Sequence, residues 1–232
     1  IDNTVPTIIS FTSTTADGSY KSTGTVNITA TASEAVVSGN TITVILDTGD
    51  SILLTAAANG TTLVGTYTVS SADTSSDLTV SSFSIGTVTD SAGNAMTSTA
   101  VPATNIATGS AIVIDTTAPT VISFTSTTTD GTYDDKSGTN NVNITATASE
   151  AVVSGNTITV TLDTGATVVL TAPANGTTLV GTYTVVAGNN SSDLTVSSFS
   201  IGTVTDSAGN AMSSNTLPAT NIDTDSDIVI ST

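Results

Sequence analysis

The chain of 232 residues has no cysteine, no histidine and no tryptophan, and it carries 2 basic residues against 19 acidic ones. Without His or Cys, the commonest general base, the thiolate nucleophile and the usual zinc ligands are missing. A formal charge of −17 argues against nucleic acid, which demands basic patches to displace condensed counterions, and equally against an anionic membrane surface. Aromatics make up only 3 %, so any core must be built from small branched aliphatics. Charged residues are only 9 % and mean hydropathy is +0.29, which separates the chain from a disordered acidic tail. What is abundant is hydroxyl: Thr and Ser together are roughly a third of the residues, far above ordinary usage. With Val and Ile they favour a pleated, half-buried surface. The composition points to an all-β, extracellular protein.

An internal repeat spans the chain. IDNTVPTIISFTST from Ile1 returns as IDTTAPTVISFTST from Ile114, an offset of 113, and VNITATASEAVVSGNTITV from Val26 returns unchanged from Val142, an offset of 116. The added residues lie in one loop, where Tyr20-Lys21-Ser22 is replaced by the longer Tyr133-Asp134-Asp135-Lys136. From Val26 onward the copies are roughly 80 % identical, and a period this long means one whole domain per copy rather than a solenoid unit. The sequence therefore predicts two domains, 1–114 and 115–232. It also reads as a window from a longer tandem array, because the copies begin and stop one linker apart. No apolar run is long enough to span a bilayer, so no membrane insertion is expected in this segment.

Period-two alternation in Val26 to Ala32 gives one apolar and one hydroxyl face. Similar runs cover Pro6–Thr14, Thr41–Leu46, Ser51–Thr55, Thr61–Val69, Leu78–Thr89 and Thr104–Ile114, with turn signals between them such as Asp-Thr-Gly at 47–49, Asn-Gly at 59–60 and Ala-Gly-Asn at 92–94. No helical apolar stripe is present. About seven short strands per copy is the pattern of a β-sandwich. By alternation Val26, Ile28, Ala30, Ile42, Val44, Leu63, Tyr67, Phe83 and Ile85, with their counterparts, should face inward, with Phe83 and Phe199 as the largest anchors.

The linker Val113-Ile114-Asp115-Thr116-Thr117-Ala118-Pro119-Thr120, the Ala16-Asp17-Gly18-Ser19-Tyr20 turn, Ser33-Glu34-Ala35-Val36 and Thr89-Asp90-Ser91-Ala92-Gly93-Asn94-Ala95 together resemble tandem bacterial Ig-like repeats. They are similar to the extender repeats of giant secreted adhesins and of surface or filament proteins, and the likeness runs over both copies. The resemblance implies two tandem Ig-like β-sandwiches serving as a stalk or matrix module on the cell surface, often rigidified by calcium at the domain junctions.

Calcium takes six to eight oxygen ligands, and an Asp-rich chain without His or Cys offers only oxygen. With strands lettered A to G, an Ig-like sandwich places the A–B and E–F loops at the end of one domain and the B–C and F–G loops at the start of the next. That brings Asp17, Asp73, Asp77, Asp115, Glu150, Asp206 and Asn210 forward as ligands of a junction Ca²⁺, with Asp115 central. Glu34 and Glu150 are the only two glutamates and occupy equivalent loop positions. The competing reading is ordinary turn chemistry, which also favours Asp. Pro119 fixes its own φ and biases Ala118 to extended geometry, so a rod-like array is expected.

Asp223, Asp225 and Asp227 alternate along the last strand as read here and would line one side of it. The first copy has Ala107, Gly109 and Ala111 there, so solvated edge charge is the preferred reading. Thr-x-Thr pairs such as Thr29/Thr31 read as outward faces rather than ligand ladders, and Lys21 and Lys136 as surface charge. The Asn-x-Ser/Thr sequons at Asn27, Asn59, Asn143, Asn175, Asn189 and Asn190 are glycan acceptors only in a glycosylating host. No base, activated nucleophile or phosphate loop is visible, so an enzyme is not expected. The favoured reading is a structural extender module with neighbouring identical repeats as partners, open to self-assembly into a filament or layer. The alternative is an adhesive module binding carbohydrate or protein through its loops. The loop stretches Ser33–Gly39 and Asp90–Met96, which repeat unchanged in the second copy, and the few aromatics favour the first.

Overall fold

The structure is a computed structural model that describes every residue except Ser137 and Thr139. It is 47 % strand and 3 % helix, which leaves no room for a helical layer. The chain divides into two units, Ile1–Thr117 and Ala118–Thr232, so the boundary falls after Thr117 rather than after Ile114.

The first unit contains β1 (Ile8–Thr12), β2 (Gly18–Tyr20), β3 (Thr25–Val36), β4 (Thr41–Leu46), β5 (Ser51–Thr55), β6 (Gly60–Thr68), β7 (Val80–Ile85), α1 (Ile106–Gly109) and β8 (Ile112–Ile114). Six of these strands form one antiparallel sheet in the order β1-β3-β6-β5-β4-β7, and β2 pairs in parallel with β8. The second unit repeats the plan with β9 (Val121–Thr125), β10 (Gly131–Tyr133), β11 (Asn141–Val152), β12 (Thr157–Leu162), β13 (Thr167–Thr171), β14 (Gly176–Thr184), β15 (Asn190–Ser191), β16 (Val196–Ile201), α2 (Ile222–Asp225) and β17 (Ile228–Ser231). Its sheets are β16-β12-β13-β14-β11-β9 and β10-β17-β15. Each unit is a sandwich-like β domain with its own core.

Alternation places Val26, Ile28, Ala30, Ile42, Val44, Leu63, Tyr67 and Phe83 inside as expected, while Ile85 is half-buried against the edge of the core. In β1 the alternation breaks. Ile8 and Phe11 are both buried although three positions apart, because the register against β3 shifts between Ile8 and Ser10. A bulge adds one residue and turns the next side chain to the other face. The rings of Phe11 and Phe83 then meet edge to face, 5.5 Å apart, as do those of Phe124 and Phe199. Phe11 and Phe124, at 0 % exposure, are more deeply buried anchors than the Phe83 and Phe199 singled out by sequence, at 6 % and 4 %.

The strand expected over Thr104–Ile114 is instead a single helical turn followed by a three-residue strand. Asn105 is responsible. Its Oδ1 accepts from the Ile106 backbone N at 2.8 Å, as an N-cap, and from Val80 N at 3.0 Å, while its Nδ2 donates to Val80 O at 2.9 Å. The side chain thus serves as a surrogate peptide beside β7 and begins the turn. Asn221 does the same for α2 and Val196.

Candidate functional site

The best-formed carboxylate cluster within one unit is built from three distant segments. Its first member depends on an irregularity in β3. Thr31 pairs with Thr62 and Val36 with Gly60, so β3 advances five residues where β6 advances two. The surplus lifts Ser33, Glu34 and Ala35 out of the ladder. Ser33 is caught by the chain before β1: its N donates to Thr7 O at 2.8 Å and its Oγ accepts from Thr7 N at 3.0 Å. Beside it, Val37 N donates to Thr89 O at 3.0 Å, which brings up the Asp90-Ser91-Ala92-Gly93-Asn94 turn.

That turn is organised by Asp90, which is only 4 % exposed. Its Oδ1 accepts from Ala92 N and Asn94 N, both at 2.8 Å, and its Oδ2 accepts from Asn94 Nδ2 at 2.6 Å. Gly93, at φ +92°, makes the reversal that a side chain would resist. Asn94 Nδ2 also reaches Asp2 O at 3.2 Å and tethers the N-terminal segment. The outcome is Asp2, Glu34 and Asp90 with one carboxylate oxygen each, all within 4.8 Å of one another. Oxygens bound to one calcium at 2.3–2.6 Å span about this range.

The charge state of the cluster follows from its surroundings. Desolvation, followed by the charges of Asp2 and Asp90, pushes the Glu34 carboxyl above its ordinary pKa. Asp90 is held below the usual range, first by the Asn94 side-chain hydrogen bond and then, against some desolvation, by backbone donors of Asn94, Ala92 and Gly93. Glu34 Oε1 is buried and, among the described residues, has no hydrogen-bond partner. A buried carboxylate oxygen without a donor is costly, and a hard cation would supply what is missing. The donor set, three carboxylates and no nitrogen or sulfur, suits calcium.

The seven residues expected to bind metal divide between the units. Asp17 Oδ1 accepts from Ala111 N at 2.9 Å and, with Gly18 N donating to Ala111 O, clamps β2 to β8. Asp73 is buried and accepts from the Tyr67 hydroxyl at 2.6 Å. Asp77 is exposed at the start of the chain leading into β7. Among the described residues none of these three belongs to a group of three or more carboxylates close enough to share an ion; Asp17 and Asp73 are held by local hydrogen bonds instead. Asp115 Oδ1 accepts from Thr117 N at 3.0 Å. In the second unit Asp206, 3 % exposed, repeats the Asp90 turn, accepting from Asn210 N at 2.9 Å and Asn210 Nδ2 at 2.8 Å. Glu150 sits in the same irregular stretch of β11, where Thr147 pairs with Thr178 and Val152 with Gly176. The turn-chemistry reading of Asp206 and Asn210 therefore holds, and it is compatible with ligation because a carboxylate keeps spare lone pairs.

Sequence reasoning passed over Asp2 and Asp90, although the repeat carries the signal. Subtracting the offsets of 113 and 116 from Asp115, Glu150 and Asp206 gives Asp2, Glu34 and Asp90.

The acids near the chain's end differ from expectation. Asp223 and Asp225 belong to the helical turn α2, so they do not alternate along a strand with Asp227. With Asp130, whose Oδ1 accepts from Asp227 N at 3.0 Å, they line a cavity of about 190 Å³. Burial, with the charges of Asp227 and Asp223 behind it, raises the pKa of the neighbouring Asp193.

No helix is long and apolar enough to cross a membrane among the described residues. The chain matches no protein-family model and no curated protein sequence.

Proposed function

We propose that the chain is a tandem spacer segment of a long extracellular repeat protein, and that each repeat holds a structural Ca²⁺ through the carboxylates of its β3-type bulge and Asp-Ser-Ala-Gly-Asn turn. The observation that carries this reading is the Asp2–Glu34–Asp90 cluster, in which Glu34 has a buried oxygen with no hydrogen-bond partner among the described residues, on residues that the sequence repeats as Asp115, Glu150 and Asp206. Identity of the Ser33–Gly39 and Asp90–Met96 loops with Ser149–Gly155 and Asp206–Met212 supports a spacer over a ligand-specific adhesive domain, because recognition surfaces diverge from their scaffold.

The bound ion would offset the mutual repulsion of the carboxylates and fix the bulge, the turn and the N-terminal segment to one another. The chain's own residues supply the rest: Asn94 orients Asp90 and holds Asp2, and Ser33 fixes the bulge. The test is thermal melting of the chain in EDTA and in millimolar calcium, with calorimetric titration of calcium. Calcium should raise the melting temperature by about 5 °C or more, following free ion by mass action, and Glu34→Gln should abolish most of that rise in the first repeat. Identical melting in both buffers with no binding heat would remove calcium and leave turn chemistry alone.

A further inference from the structure

Charge is sorted unevenly over the molecule. Among the described residues, Glu34 and Glu150 in the bulges are the acids that stand in the strands of the six-stranded sheets; the other carboxylates and both lysines lie in loops, helical turns and the N-terminal segment. One outer surface of each sheet is consequently neutral and rich in hydroxyls. On β1, β3 and β6 the outward Thr12, Thr29 and Val64 pair across the three strands, and the next row holds Thr31 opposite Thr62. Val64 is 46 % exposed and Ile9, in the β1 bulge, 52 %. The second repeat presents the same six residues on β9, β11 and β14 as Ile122, Thr125, Thr145, Thr147, Thr178 and Val180, with Ile122 and Val180 again exposed. Other strand positions are freer to change: buried Ile8 becomes Val121, and Ile45 on β4 becomes Thr161.

The edge of this surface is already used. Beyond β1, Phe11 N donates to Thr104 O at 3.0 Å, and in the second repeat Phe124 N donates to Thr220 O at 3.1 Å. The chain's own backbone thus occupies part of the edge where a further strand would add. On the opposite side β6 joins β5 through the single pair Thr55↔Val64. Another molecule meets this surface by its face.

We propose that the outer β1-β3-β6 face, with its β9-β11-β14 counterpart, is the surface on which a second copy of this chain docks, face against face. The proposal adds a partner to the spacer reading and makes no use of the calcium cluster. Charge selects the occupant. At −17 the chain repels its own copies over its acidic loops, whereas on this face two copies meet without bringing carboxylates together. A basic partner would be drawn to the loops instead, and a sugar would find no aromatic ring among the outward residues of these strands. Identity between the repeats points the same way, because a self-complementary contact needs the same residues on both partners. Small Thr, Val and Ile side chains can then interdigitate as they do between packed sheets, about 10 Å apart.

The contact is small. Three strands span about 14 Å and the β3–β6 ladder from Thr25 to Thr31 about 24 Å. Each partner therefore contributes on the order of 340 Å², and a pair of faces about 700 Å², below the roughly 1,200–2,000 Å² of a stable complex. One contact is weak and reversible, and repeats in series strengthen it through effective concentration.

The test is sedimentation equilibrium of the full chain in EDTA, which keeps the result separate from calcium binding. The chain should dimerise with a dissociation constant on the order of 0.1–1 mM at about 0.5 M NaCl. At about 0.02 M NaCl the acids are less screened, and association should weaken by roughly tenfold. Val64→Glu with Val180→Glu should be monomeric, and so should Val64→Lys with Val180→Lys. Mixing the two variants should restore dimers, because the opposite charges meet only if the face packs on itself, and each chain must be folded to pair. Val186→Glu, at an exposed position after β14, is the control and should associate as the parent does. A parent chain that stays monomeric at every concentration and salt would overturn the proposal, as would dimers that persist in the Val64→Glu, Val180→Glu variant. Dimers abolished by Leu53→Glu with Val169→Glu but not by the Val64 and Val180 changes would also overturn it, by placing the contact on the β4–β5 side.

Discussion

Replacing Phe11 by Ala tests whether the bulge in β1 creates an anchor or merely accommodates one. Phe11 is 0 % exposed and meets Phe83 edge to face at 5.5 Å and 70°. Truncation removes a buried ring and leaves a cavity against a sheet whose register the bulge has already fixed, so collapse is restricted. The expected loss is in the upper part of the usual range for Phe→Ala, about 4–5 kcal/mol, and includes roughly 0.5–1.5 kcal/mol of ring–ring interaction. Urea and thermal unfolding of the full chain should then become biphasic, the mutated unit melting on the order of 15–20 °C below the intact one. The double-mutant cycle of Phe11→Leu and Phe83→Leu should recover a coupling of about 0.5–1.5 kcal/mol. A loss below about 1 kcal/mol for Phe11→Ala, or a coupling near zero, would refute the assignment of Phe11 as a core anchor held in place by the bulge.

Gly65→Ala should cost about 1–3 kcal/mol, because its Cβ would lie 2.6 Å from both Leu53 O and Leu54 Cδ2; Gly60→Ala, with nothing within 4 Å of its Cβ, is the control and should be nearly silent in the same melts. Asn105→Ala should cost about 2–4 kcal/mol, from a lost cap and unpaired Val80 groups, and hydrogen exchange should show α1 and the start of β7 opening together. Asp90 is held low, so its contribution is present above the ordinary Asp value and lost as pH falls through its lowered pKa. In calcium-free buffer Asp90→Asn should therefore flatten the acid limb of the first unit's stability profile below about pH 4, and an unchanged limb would show that the turn does not depend on the carboxylate.

How far each feature could be read from sequence follows from the range over which its cause acts. Strand content and domain count were legible because both rest on patterns within the chain, the period-two alternation of Val26 to Ala32 and the long internal repeat. β4 and β5 match their expected bounds because strong turn signals flank them on both sides. Phe11 was overlooked because alternation carries no mark of a bulge; only pairing against β3 shows that Ile8 and Phe11 share a face. The helical turns α1 and α2 were read as strand because Asn105 and Asn221 act on Val80 and Val196, 25 residues away.

The candidate site divides in the same way. The sequence by itself determined the chemistry on offer: oxygen ligands only, two glutamates at equivalent positions, and an Asp-Ser-Ala-Gly-Asn turn in each copy. Tertiary structure alone decided which carboxylates meet. Asp2, Glu34 and Asp90 converge because β3 runs five residues against two of β6 and because Asn94 reaches back to the N-terminal segment. Asp17 and Asp73 are instead bound to Ala111 and Tyr67. A side chain's type is fixed locally, but its partner depends on register and loop closure, and those depend on the whole sheet.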